Sequence, residues 1–265
     1  MQDVVNISWF QLSVFSLILI FPFCISLYLK LGITKEAAIS IIRMVLQLSL
    51  VGLYLEYLFT LNNVFINLLW LMVMIVIGAS SIVGKAKLPQ RPLLLPISGG
   101  LSVTAIPLVV FICALVIQPS PLMSAQYLIP IAGMLLGNCL SANIVVLQNL
   151  FGAFESRREE YEGALSLGAS PHYAAAPFVR SAMQKAMAPI MASMATTGLV
   201  TLPGMMTGQI LGGASPMIAI KYQLMIMIAI FVMMTLSLTI VLHLSLKVAL
   251  TKEGRVTIKF INQGA

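Results

Sequence analysis

Seven apolar runs, at residues 9–29, 37–59, 64–83, 93–117, 125–152, 186–202 and 218–246, constrain this chain more than anything else in it. A helix needs about 20 such residues to cross the hydrocarbon of a bilayer. The backbone of each run then satisfies its own hydrogen bonds, which lipid requires. Charged residues make up 9% of the chain, against roughly 25% in a soluble domain. The fold class expected is all-α: a polytopic integral membrane protein of about seven transmembrane helices. One transmembrane domain occupies residues 1–265, with no second domain, long linker or clear internal repeat.

The net charge of +7 has a membrane explanation rather than a nucleic-acid one, because no soluble basic face exists to bind nucleic acid. With the N-terminus outside, the inner segments hold Lys30, Lys35, Lys85, Lys87, Arg91, Arg157, Arg158, Arg180, Lys185, Lys247, Lys252, Arg255 and Lys259. The connections at 60–63 and 118–124 hold no basic residue. The excess of Lys and Arg on cytoplasmic loops therefore predicts an N-out, C-in chain, multi-pass in the inner (plasma) membrane. The first run is expected to be retained: Asp3 is the only charge before it, and it has neither a basic leader nor an A-x-A exit.

The longest polar stretch, RREEYEGALSLGAS, carries Glu162, Gly163, Ala164 and Gly168 in the pattern E-x-A-x-x-x-G. Residues 155–172 are expected to form a cytoplasmic segment around a short helix. Acids sit early in it, where the helix dipole favours them, and Gly168 ends it. Ala164, Leu165 and Leu167 then offer an apolar surface to a partner, and Glu162 a charge. The plainer alternative is an interfacial amphipathic helix between two spans.

Candidate path residues lie inside the apolar runs and in the break between the last two. Arg43 and Gln47 share a face one turn apart, and Glu56 lies about 220° round from Arg43. Intramembrane charges of this kind are functional candidates, although Arg43 can snorkel to the inner interface and Glu56 lies near the outer one. Asn138 and Asn143 flank a ladder of Gly133, Gly137 and Ser141, and either line a path or bond a neighbouring helix. Pro203, Gly204, Met205, Met206, Thr207, Gly208 and Gln209 form a helix break, the kind of feature that builds substrate sites in transporters. Its plainer reading is an outer loop before a packing helix.

Metal ligands are sparse: Glu56, Met205 and Met206 are the weak candidates, and the Met183, Met187, Met191 and Met194 stripe reads as packing. Cys24, Cys113 and Cys139 have no paired spacing. The nearest approach to a phosphate-binding loop, Gly78 to Gly84-Lys85-Ala86, has the wrong glycine gap and lacks the Ser or Thr that holds Mg. The chain is not expected to be an enzyme.

Several stretches together resemble one family. They are A-x-x-x-x-I-R-x-x-x-Q-L around Arg43 and Gln47, P-x-x-G-M-x-x-G-N from Pro130 to Asn138, and A-L-x-L-G-A-S from Ala164 to Ser170. The most specific are L-P-G-M-M-T-G-Q-I-L-G-G at 202–213 and A-I-K-Y-Q at 219–223. The chain resembles the FetB-type permeases, ABC-transporter membrane subunits of bacterial iron export with plant relatives linked to aluminium tolerance. The resemblance covers about residues 37–247. It implies a homodimer in membrane lipid, coupled through Glu162–Gly168 to a FetA-like ABC ATPase subunit that carries the ATP and Mg. Metal efflux, most directly of iron, and resistance to oxidative stress follow from the same resemblance. Gly163 departs from the family's E-A-A. A secondary transporter, a channel or a membrane scaffold remains the alternative from the residues themselves.

Overall fold

All but the sixth of the apolar runs become helices in the computed structural model, which describes residues 6–261; Asp3 lies outside them. α1 is Trp9–Tyr28, with a 3-10 turn at Leu17–Leu19. α2 is Thr34–Leu61, α3 Val64–Lys85 and α4 Gln90–Ile117, whose last residues, Ile112–Ile117, widen to π geometry. α5 is Ala125–Ser156, α6 Arg158–Ser166, α7 Pro171–Thr196, α8 Gly204–Leu211 and α9 Pro216–Ala249. The described residues contain no strand, only isolated bridges pairing Thr197 with Thr201 and Leu250 with Val256. The chain is an all-α, multi-span membrane protein.

α5 and α9 form the centre. α5 packs against α3, α7 and α9, and α9 also packs against α4, α7 and α8. Lipid tails are as apolar as the side chains, so close packing and hydrogen bonds hold such helices together. At Gly100 of α4 a Cβ would stand 2.8 Å from Val241 Cγ2 and 3.4 Å from the Val241 backbone nitrogen of α9. Asn143 of α5 donates to Ser237 Oγ of α9 at 3.0 Å, both residues fully buried.

Three contacts define one end of the bundle. Gln148 Nε2 donates to the Lys85 carbonyl at 3.1 Å, Tyr161 Oη to the Gly254 carbonyl at 3.0 Å, and the Ile261 amide to the Lys87 carbonyl at 2.8 Å. The opposite end is tied by the Ala125 amide donating to Asn62 Oδ1 at 3.1 Å and by Asn67 Nδ2 donating to the Met123 carbonyl at 2.9 Å. The opposite-end connections, 62–63, 118–124 and 197–215, hold no Lys or Arg. The α6 end holds Lys85, Lys87, Arg91, Arg157, Arg158, Lys247, Lys252, Arg255 and Lys259.

The sixth expected span needs correction. Six helices, α1 to α5 and α9, are long and apolar enough to cross a membrane. Residues 186–202 do not form one helix: α7 ends at Thr196, and a turn fills 197–203. The helix starts early because Ser170 caps it, its hydroxyl accepting from the Tyr173 amide, and Pro171 sits at its first position. Arg180 and Lys185, expected in an inner segment, thus lie within α7 and lower its hydropathy. The chain nevertheless passes between the two ends at this point. α9 is about 50 Å long and finishes at the α6 end, and His172 at the start of α7 lies 6.3 Å from His243 late in α9. Only α7, about 39 Å long, carries the chain back to where α9 begins.

The α1–α2 hairpin stands off the bundle. Leu58 is the one buried residue of α2, and Ser26 that of α1. α2 is moored at its C-terminal end, where Tyr54 lies 4.4 Å from Trp70 of α3.

Candidate coupling site and transport path

The helix expected around Glu162 is present as α6, and local chemistry explains its limits. Glu159 and Glu160 occupy its first turn. Arg157 pairs with Glu160, and Arg158 Nε with Glu162 Oε1 at 2.6 Å. At the other end Gly168 has φ +89°; its amide donates to the Leu165 carbonyl and the Ala169 amide to the Ala164 carbonyl. Those two bonds and a left-handed residue are the Schellman termination, which favours glycine.

α6 has distinct inner and outer faces. Tyr161 is buried against Phe154 at 5.1 Å, Phe154 meets Phe178 edge-on at 5.5 Å, and the Arg157 guanidinium lies 4.8 Å over the Phe178 ring. This aromatic box joins α6 to both α5 and α7. Ala164 and Leu165 are half-buried against the bundle. Less of their surface is therefore left for a partner's groove. Leu167, by contrast, is 91% exposed, beside the exposed Glu162, Gly163 and Gly168.

The sequence reading missed a second element here, the segment after α9. From Gly254 to Phe260 its residues alternate: Gly254 and Ile258 are buried and Val256 and Phe260 half-buried, while Arg255, Thr257 and Lys259 are exposed. Period-two alternation is the signature of an extended segment lying on a surface, but seven residues after a long helix give it little weight. The segment turns at Gly254, φ +83°, where a Cβ would lie 2.7 Å from Leu165 Cδ1. Burial pushes the Tyr161 phenol, which donates to this turn, above its ordinary pKa. Hydrogen bonds from its own backbone amide and from Thr251 hold the Glu253 carboxyl below the usual value. Between α6 and this segment is a cleft of about 840 Å³, with Arg158, Glu162, Glu253, Arg255 and Lys259 around an apolar floor that includes Phe154.

The path candidates do not gather in one place. Arg43, Gln47 and Glu56 are exposed along the detached α2. Asn138 is exposed on α5 and donates back to the Met134 carbonyl at 2.8 Å. Asn143 sits in the α5–α9 joint, so it bonds a helix rather than facing open space. The expected break is real: Pro203 precedes the short α8, which begins at Gly204 and includes Met205, Met206, Thr207, Gly208 and Gln209. Thr207 Oγ1 donates to the Pro203 carbonyl at 3.2 Å, and the buried Gln209 Oε1 has no partner among the described residues. α8 packs on α9 at the end opposite α6. The described residues contain no cluster of three His, Cys, Asp or Glu able to hold a metal. Glu56 sits on α2, while Met205 and Met206 sit on α8. Among the described residues, no neighbouring atom comes within 4 Å of a Cβ built on Gly137, Gly204 or Gly208.

A family model described as an uncharacterised protein family, UPF0014, matches residues 9–249, nearly the whole chain. The chain belongs to that family. Its relatives include the UPF0014 membrane protein YjkA of Bacillus subtilis, 32% identical over 83% of this chain and 86% of that one. The probable iron export permease protein FetB of Escherichia coli is 31% identical over 83% of this chain and 84% of its own. The Arabidopsis thaliana protein ALUMINUM SENSITIVE 3 is 33% identical over 75% of this chain and 71% of its own. The resemblance read from the motifs is therefore borne out at family level. No solved structure matches the chain.

Proposed function

We propose that this chain is the permease subunit of an ABC transporter that exports iron or a related metal ion, driven by ATP hydrolysed on a separate subunit. The observation that carries the reading is α6. It is a short, charged, outward-facing helix at the basic end of an otherwise apolar bundle, welded by an aromatic box to two long helices. The relative named as a probable iron export permease supports the cargo. The chain's own ligand-poor helices suit brief passage rather than storage of a metal. The basic end faces the cytoplasm of the inner membrane, where an ATPase reaches α6. The ladder of half-buried Gly133 with exposed Gly137 and Ser141, and the detached α1–α2 hairpin, are surfaces for a second copy, giving a homodimer.

In this mechanism the ATPase grips Leu167 and Glu162. The Arg158–Glu162 pair is exposed and worth roughly 0.3–0.5 kcal/mol, so a partner's cation displaces it easily. Closing of the ATPase subunits moves α6, and the aromatic box passes the motion to α5 and α7, shifting the population between inward- and outward-facing states. ATP and Mg belong to the partner. Export of this kind supports metal homeostasis and resistance to oxidative stress.

The test is transport of iron out of energised cells. Glu162→Lys sets a second cation against Arg158 and is expected to abolish transport while leaving membrane insertion intact. Normal transport by that variant removes the coupling role. Flux driven by ion gradients without ATP points to a secondary transporter or channel, and partner binding without flux to a scaffold.

A further inference from the structure

Coupling helices are ordinarily read alone, but here the chain's last described residues are fastened to α6. We propose that segment 251–261 is a second docking element: it completes the seat for the ATPase subunit and ties α6 to the end of α9. The inference rests on the coupling reading above.

Two contacts make the clasp. The buried Tyr161 hydroxyl donates to the Gly254 carbonyl at 3.0 Å, across 93 residues of sequence. Leu165 packs so closely on Gly254 that no side chain fits there without displacement. Beyond the turn, the Thr257 amide returns to the Ala249 carbonyl at 2.8 Å, and the Ile261 amide bonds the Lys87 carbonyl. One short segment thus bridges α6, the end of α9 and the α3–α4 connection. A pull on α6 reaches α9 through it without passing through α7.

The cleft between clasp and helix is continuous with the exposed face of α6, since Arg158 and Glu162 line both. Its rim carries Glu155, Glu253, Arg255 and Lys259, none in an ion pair among the described residues. Three carboxylates, those of Glu155, Glu162 and Glu253, repel an anionic lipid surface, which attracts unmixed basic patches. A mixed-charge rim over an apolar floor instead matches a protein partner bearing both signs of charge around an apolar anchor.

The experiment uses the full chain, tagged and co-expressed with the ATPase subunit that accompanies it from its native membrane. The amount of subunit retained after purification is the readout, and the unfolding midpoint of the chain alone is the control for folding. Gly254→Val forces the clasp off Leu165, and Tyr161→Phe removes one oxygen and leaves the ring in place. Each is expected to retain about fivefold less subunit, the scale of one lost hydrogen-bonded contact, with the midpoint of Tyr161→Phe little changed. Wild-type retention by both variants, alongside loss in Glu162→Lys, overturns the clasp and leaves the coupling reading standing. Wild-type retention by all three overturns both.

Discussion

Leu167 and Tyr161 lie six residues apart on one short helix and its cap, and they do opposite things. Leu167 is a large apolar side chain left 91% in water, which is the form of an interface anchor. Leu167→Asp is expected to weaken the hold on the ATPase subunit by about tenfold or more, on the scale of losing an apolar anchor, without changing the unfolding midpoint. Equal retention would mean the tip of α6 does not enter the partner. Tyr161 faces inward, and burial keeps its phenol protonated above the ordinary value of 10.0. The folded chain then holds this proton more tightly than the unfolded chain. The clasp's contribution is whole below the unfolded value and is lost as pH rises through the higher folded one. Thermal unfolding followed across alkaline pH should show a fall beginning near pH 10 that is smaller in Tyr161→Phe.

Among the elements, the α4–α9 contact is the most exacting. Gly100→Val drives a branched side chain into Val241 and its backbone, and overpacking of this kind costs about 1–3 kcal/mol. The expected result is a lower unfolding midpoint in detergent. Asn143→Ala, which gives up one interhelical hydrogen bond, is expected to cost about 1 kcal/mol or less. Hydropathy alone made α1 to α5 and α9 legible, because span length is set by the bilayer. Gly168 was legible because its left-handed turn needs glycine. The extent of α7 was not: Arg180 and Lys185 masked a helix whose start is written in Ser170 and Pro171, a capping signal weaker than an apolar run. Nor was the clasp, because the contacts of Tyr161 with Gly254 depend on two distant segments meeting in space. For the same reason sequence pattern placed Asn143 no better than in a path or a joint, and Ser237 decided between them.

At the scale of the molecule, the candidates for the path are spread over α2, α5 and α8. The proposed homodimer would set the exposed faces of α2 and α5 against a second copy. Glu56→Gln is expected to change iron transport several-fold while leaving ATPase-subunit retention at the wild-type level. An unchanged transport rate would take Glu56 out of the path. The central claim, that this bundle is worked from its basic end by a separate ATPase, is tested most directly by gentle extraction from the native membrane, comparing wild type with Glu162→Lys. A nucleotide-hydrolysing subunit that accompanies the wild-type chain and is lost from the variant is the predicted result. Intact, folded chain of both kinds with no such subunit would contradict the account.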